Sequence, residues 1–144
     1  MRYPIEFKDQ NGSATTDYVN GFPTILIDID PAVPAHRTAP YTPNLRRVRA
    51  LLDTGTNASM FSDRVLAGAK PVGNVGTDHM GGSGTTDTFF VVIGIPKLLN
   101  PKLYEVGRIP LPPGIEVLIG RDILSKVRLV IDTPRREFYL EASA

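Results

Sequence analysis

Apolar residues in this chain come in short or alternating runs, and turn-forming residues stand between them. Runs occur at Tyr3 to Phe7, Phe22 to Ile29, Val48 to Leu52, Phe89 to Ile95, Val117 to Ile119, Val127 to Ile131 and Phe138 to Leu140. Each is strand-length, and none sustains the 3.6-residue periodicity of a long amphipathic helix. The 13 glycines and 13 prolines fall mostly between the runs, as in Asn11-Gly12, Asn20-Gly21, Gly81-Gly82 and Pro112-Pro113-Gly114. Glycine supplies positive φ and proline presets φ, so these are turns separating strands. Only Ser62 to Ala67 and Arg121 to Lys126 look helical, and both are too short to be stable without packing on a sheet. The pattern predicts an all-β barrel or sandwich with one or two short helices, and 144 residues fit one domain.

Composition narrows the function classes. The 16 basic and 15 acidic residues leave a formal charge of +1, so no global field draws the chain to nucleic acid or to an anionic membrane. No apolar run approaches the roughly 20 residues that span a bilayer, and Met1 to Lys8 lacks the apolar stretch of a secretion signal. A soluble cytoplasmic protein is expected. The absence of cysteine excludes disulfides, thiolate catalysis and cysteine-ligated zinc. His36 and His79 stand far apart, so a metal site is not expected. The proline-rich stretch 31–45 is expected to run extended over the surface, as a stiff loop rather than a central strand.

One segment carries chemistry. Arg49-Ala50-Leu51-Leu52-Asp53-Thr54-Gly55-Thr56 is an apolar strand that delivers an aspartate into a glycine-containing turn. The carboxylate of Asp53 would sit at the end of a rigid element, with Gly55 permitting a close backbone approach. Downstream, Met80-Gly81-Gly82-Ser83-Gly84 precedes the strand Phe89 to Ile95, and Val117-Leu118-Ile119-Gly120-Arg121-Asp122-Ile123-Leu124 follows later. In this order the three segments resemble the signatures of the retropepsin-like aspartic proteases: the Asp-Thr-Gly motif, the glycine-rich flap, and two aliphatics with a glycine leading into a short helix. The resemblance covers the chain from about Arg46 to Leu140.

The resemblance implies a retropepsin-like barrel with a flap hairpin and an aspartic endopeptidase that needs no cofactor. Peptide hydrolysis of this kind needs two carboxylates sharing one proton around a water, and one Asp53 cannot do both jobs. The implied solution is a homodimer with one Asp53 from each subunit; aspartic proteases are the standard illustration of such a pair. The partners are thus a second copy and a peptide or protein substrate. Thr54, Gly55 and Thr56 form the active-site loop, and Met80, Gly81, Gly82, Ser83 and Gly84 form the flap. Gly120, Arg121 and Asp122 support the site. Ala50, Leu52, Thr56, Ala58 and Leu118 join the flap residues as candidate cleft lining. Thr56 stands where retroviral members commonly have alanine, and its hydroxyl is expected to donate to Asp53 and shift the optimum towards acid. Arg121 usually braces the loop through an acidic residue, but Asn57 and Ala58 occupy that stretch, leaving Asp63 or a backbone carbonyl as its partner. The C-terminal apolar strand Phe138 to Leu140 is a candidate dimer seam, because an unpaired edge strand seeks a partner.

Competing readings exist for each feature. Asp53 on its own would be a turn aspartate capping its loop. The glycines at 81–84 lack the following Lys-Ser or Lys-Thr of a phosphate cradle. Val130-Ile131-Asp132-Thr133 repeats the Asp-Thr motif, but Pro134 replaces the glycine, so Asp132 is expected to serve a strand turn. Ile25 to Asp30 superficially resembles the aspartyl nucleophile of haloacid-dehalogenase-type phosphatases. Such folds need crossover helices, which makes Asp28 and Asp30 strand-end polar residues. The non-enzymatic alternative is a catalytically inactive retropepsin-like module that binds peptides or dimerises.

Overall fold

The computed structural model describes residues 1–33, 41–79 and 82–143, with only the backbone described at 75, 77–79, 82 and 83. Eleven strands and one four-residue helix make up the regular structure of these residues. They are β1 (Arg2–Pro4), β2 (Glu6–Lys8), β3 (Phe22–Asp30), β4 (Arg46–Leu52), β5 (Met60–Ser62), β6 (Gly73–His79), β7 (Gly82–Ile95), β8 (Leu99–Ile109), β9 (Val117–Ile119), α1 (Arg121–Leu124), β10 (Val127–Asp132) and β11 (Glu137–Ala142).

Eight strands form one sheet in the order β2-β3-β4-β9-β5-β8-β7-β6, and a further pairing of β3 with β7 closes six of them into a barrel. The closing contact runs antiparallel, Asp28 opposite Gly94 to Asp30 opposite Val92. Closure pairs the stretches of β3 and β7 that β2 and β6 do not reach, and the barrel interior fills with alternate side chains. Ile25, Ile27, Ile29, Phe61, Phe89, Val91, Ile93, Val117 and Ile119 are all buried there. Their period-two spacing along β3, β7 and β9 is the alternation legible in the sequence.

The remaining strands form a small antiparallel sheet, β1-β11-β10. Tyr3 to Phe7 therefore is not one strand but two, which join different sheets on either side of buried Ile5; the Ile5 N–H donates to the Phe138 carbonyl at 3.1 Å. The rings of Phe7, Tyr18 and Phe138 pack edge-on or tilted at 4.5 to 5.1 Å and tie the small sheet to the barrel.

Three corrections concern elements. β5 and β8 arise where no strand was expected, and β6 is the incoming arm of the expected flap hairpin, which no apolar run marks. Ser62 to Ala67 is not helical: after β5 it makes turns, with the Val65 and Leu66 N–H groups both donating to the Ser62 carbonyl at 3.2 Å. The strand β11 is not an edge, because β1 and β10 flank it on both sides. No helix among the described residues is long and apolar enough to cross a membrane.

Candidate active site

Asp53 follows directly on β4. Its N–H donates to the Ile119 carbonyl at 2.9 Å, extending the parallel β4–β9 ladder by one residue and fixing where the side chain leaves the sheet. The carboxylate is half-buried, and its Oδ1 accepts the Gly55 N–H at 2.8 Å. A Cβ on Gly55 would stand 3.1 Å from that oxygen, so glycine lets the turn close tightly against the acid. Among the described residues Oδ2 of Asp53 accepts no hydrogen bond. Thr54 and Gly55 are exposed. The Thr56 hydroxyl donates to the Ala58 carbonyl at 3.3 Å and not to Asp53, which corrects the expected Thr56–Asp53 bond.

A second segment locks this loop from below. The Arg121 N–H donates to the Thr56 carbonyl at 2.9 Å, and Gly120 lies so close to Ala58 that a Cβ there would meet backbone atoms at 2.8 and 2.9 Å. Gly120 has φ −94°, which any residue adopts, so the demand for glycine is one of space. Ser59, fully buried, is the knot between the two segments. Its hydroxyl donates to Asp122 Oδ1 at 2.7 Å and accepts the Gly120 N–H at 3.0 Å, while its own N–H donates to Asp122 Oδ2 at 3.0 Å. Bonds to an ionised acceptor are the stronger kind, and burial makes each costly to lose.

Arg121 supports the loop through its backbone, and the side-chain brace expected of it comes instead from Asp122. Arg121 is exposed and its guanidinium forms no ion pair among the described residues; Asp63 instead pairs with Arg108 at 3.3 Å. Ser59 was missed in the sequence because it stands in a run of small and apolar residues, and nothing local marks its bond to a residue 63 positions away.

No family model matches the sequence, and no curated protein matches it. Among solved structures, the EIAV protease in complex with the inhibitor HBY-793 superposes with a TM-score of 0.52 at 23% identity, covering 81% of this chain and all of the retroviral one. The fold is retropepsin-like.

Within the retropepsin-like barrel the remaining predicted residues separate into those near the chain surface and those buried. The hairpin β6–β7 occupies the flap's place in the chain order, paired from Gly73 opposite Thr88 to His79 opposite Gly82. Gly82, Ser83 and Gly84 open β7, and Met80 and Gly81, at the expected tip, lie outside the described residues. The root of the hairpin is tied down: the Thr86 hydroxyl donates to the Arg108 carbonyl at 3.1 Å and accepts the Arg108 N–H at 3.2 Å. Arg108 also reaches Asp87 at 3.4 Å. Ala50, Leu52 and Leu118 are buried, which corrects their assignment to the cleft lining: strand alternation turns Ala50 and Leu52 into the core. Thr56 and Ala58 stay partly exposed.

The other aspartates serve structure. Asp132 accepts the Arg135 N–H at 3.2 Å and closes the β10–β11 turn. Asp28 pairs with Arg47 on the neighbouring strand at 3.0 Å. Asp30 is almost wholly buried and accepts the Ala32 N–H at 3.0 Å, the Asn44 N–H at 2.9 Å and the Tyr41 hydroxyl, gathering the described ends of the proline-rich segment. Burial works to raise the Asp30 carboxyl, but hydrogen bonds from Tyr41, Ala32 and Asn44 outweigh it and hold the group below its ordinary value. His36 and the rest of residues 34–40 lie outside the described residues.

Proposed function

We propose that this chain is one subunit of a homodimeric aspartic endopeptidase. The observation that carries the reading is the state of Asp53: a carboxylate at the end of a barrel strand, on a backbone tied to Ile119 and a loop packed against Gly120, with Oδ1 held by the Gly55 N–H and Oδ2 unengaged among the described residues. A rigidly held acid with one free oxygen is suited to hold a water or a second carboxylate, and a turn cap would have no use for the surrounding clamp.

The chemistry requires two such acids. Placed across a twofold axis, two Asp53 side chains at close range cannot both ionise, so they share a proton. The ionised member takes a proton from the water as it attacks the scissile carbonyl, and the protonated member donates to the carbonyl oxygen. The tetrahedral intermediate then collapses with protonation of the amine leaving group. An extended peptide suits this cleft, because strand-like backbone pairing supplies affinity while alternate side chains supply selectivity.

Incubation of the purified chain with an unstructured protein across acidic to neutral pH tests the reading. Cleavage that is blocked by a pepstatin-like inhibitor and lost in Asp53→Asn supports it. A stable dimer that never cleaves at any pH favours the peptide-binding or scaffold module instead.

A further inference from the structure

We infer that Thr86 is a positioning residue that latches the β6–β7 hairpin to the barrel, and that the unpartnered hydroxyl of Thr88 works against this latch. Two threonines on one face of β7 would then set the balance between a docked and a swung-out hairpin. The inference rests on the endopeptidase reading only for its consequence, the covering of a bound peptide; the balance itself is a property of the fold.

The ladder between β7 and β8 ends at Phe89 opposite Val106. Beyond that pair, β6 and residues 82–88 of β7 pair only with each other, so the hairpin is a lever with its fulcrum at Phe89. Among the described side chains, those of Thr86 and Asp87 hydrogen-bond this lever back to the barrel, and both reach Arg108. The Thr86 hydroxyl donates to the Arg108 carbonyl at 3.1 Å and accepts the Arg108 N–H at 3.2 Å, and Asp87 meets the guanidinium at 3.4 Å. The ion pair is open to solvent, with side chains 45% and 46% exposed, and Arg108 shares its charge with Asp63 at 3.3 Å. Water and salt therefore weaken it, and the hydroxyl bonds are the firmer part of the latch. Those bonds need space beside Thr86, which Gly107 supplies: a Cβ there would stand 2.9 Å from the Thr86 methyl.

The same stretch of β8 also reaches the catalytic loop. The Gly107 N–H donates to the Ser59 carbonyl at 3.3 Å, and Ser59 is the residue that ties Asp122 and the Gly120 N–H together. A docked hairpin is thus held at the part of the barrel that fixes the Asp53 loop, which gives it a defined place relative to the acid.

Thr88 opposes docking. It stands two residues along β7 on the face that Thr86 occupies, it is 2% exposed, and its Oγ1 has no hydrogen-bond partner among the described residues. A buried hydroxyl without a partner costs free energy for as long as water is kept from it. Thr88 adjoins the fulcrum, so swinging the lever outward admits water to it. Docking gains the Thr86 bonds and leaves Thr88 unsatisfied, two effects of similar size and opposite sign. Such a balance suits a hairpin that must both admit and release a peptide.

The chain has no cysteine, so spin labels attach only where cysteines are introduced. Thr85→Cys on the hairpin and Asn100→Cys on the barrel, both exposed positions, are labelled and diluted into unlabelled chain. Pulsed electron paramagnetic resonance then reads the distance within one chain, whatever its assembly, and circular dichroism confirms that each variant is folded. Thr86→Val is expected to raise the ratio of swung-out to docked hairpin about five-fold, and adding Thr88→Val to it draws the ratio back by a similar factor. Thr86→Ser keeps the hydroxyl and stays near wild type. Where Thr86→Val does not fold, Thr88→Val alone carries the test and lowers the ratio about five-fold. A folded Thr86→Val with the wild-type distribution, or a Thr88→Val change that moves the hairpin outward or not at all, overturns the inference. Distances are read without reference to cleavage, so the expected shifts in an inactive protein count against the proposed chemistry and not against the latch. In a protein that cleaves, Thr86→Val is expected to raise KM by a larger factor than it lowers kcat, because it changes how the peptide is covered and leaves Asp53 in place.

Discussion

Two segments of this chain begin almost identically and end in different structures. Leu51-Leu52-Asp53-Thr54-Gly55 and Val130-Ile131-Asp132-Thr133-Pro134 each run an aliphatic pair into Asp-Thr. Asp53 accepts the N–H two residues on, from Gly55, whereas Asp132 accepts the N–H three residues on, from Arg135. The reason is covalent: Pro134 has no N–H where Gly55 has one. Asp132 also has a counter-ion, Arg135 at 3.6 Å, while Asp53 forms no ion pair among the described residues. The larger difference lies outside both motifs. Behind Asp53 the chain returns as β9, Gly120 and Asp122 and locks the loop. Asp132 only turns one strand into the next. Asp-Thr is thus a turn-former in both places, and what makes one of them a candidate acid is the tertiary clamp around it.

The sharpest way to break that comparison is to neutralise each acid in turn. Asp53→Asn is expected to lower kcat by at least about 10³-fold, whereas Asp132→Asn leaves it within about two-fold, since only the first would take part in proton transfer. Initial rates on an unstructured protein measure both, and equal losses would erase the distinction. Gly120→Ala attacks the clamp itself: the new Cβ meets backbone 2.8 Å away, and the expected loss is about 1–3 kcal/mol of stability in denaturant melts, with kcat falling alongside. An alanine tolerated there would mean the loop is looser than its contacts imply. Ser59→Ala removes the acceptor of the Gly120 N–H and a donor to Asp122, at about 1–3 kcal/mol.

Asp30 offers a control away from the site. Its folded carboxyl lies below the ordinary value of 3.8, so its contribution to stability is present above that value and is lost as pH falls through the lowered one. Asp30→Ala is expected to destabilise the wild-type fold at neutral pH and to flatten the acid limb of the stability profile, as read by melts from neutral to acid pH. The smallest effect belongs to Thr56→Ala. Because the hydroxyl donates to Ala58 and not to Asp53, the pH–rate profile should stay in place, and a clear displacement would restore the Thr56–Asp53 bond.

How much of this was legible in the sequence depended on how local the cause was. β3, β4, β7, β9, β10 and β11 were visible because their alternation or apolar runs reflect burial on one or both faces. β8 was not, since Leu99–Ile109 carries Pro101 and Gly107 and is largely exposed over its first half. β6 lacks an apolar face in Gly73–His79, and its pairing to β7 alone makes it a strand. Of the site, Asp53, Gly55 and Gly120 could be read because turn chemistry and close approach restrict the residue type. The Ser59–Asp122 bonds could not, as they join residues 63 apart whose neighbourhoods carry no signal of each other. Ala50 and Leu52 were misplaced because proximity to Asp53 says nothing about which face of the strand a side chain occupies.

Titrating inactive chain into active chain bears most directly on the central claim. Asp53→Asn chain is added in equal amount to a fixed amount of wild type, at concentrations above the dimer dissociation constant and with time for subunits to exchange. If each catalytic centre takes one acid from each of two chains, half of the wild-type chains pair with inactive partners, and cleavage falls to about half of its starting rate. A rate that stays unchanged would mean that one chain cleaves alone, and the two-chain account would be wrong.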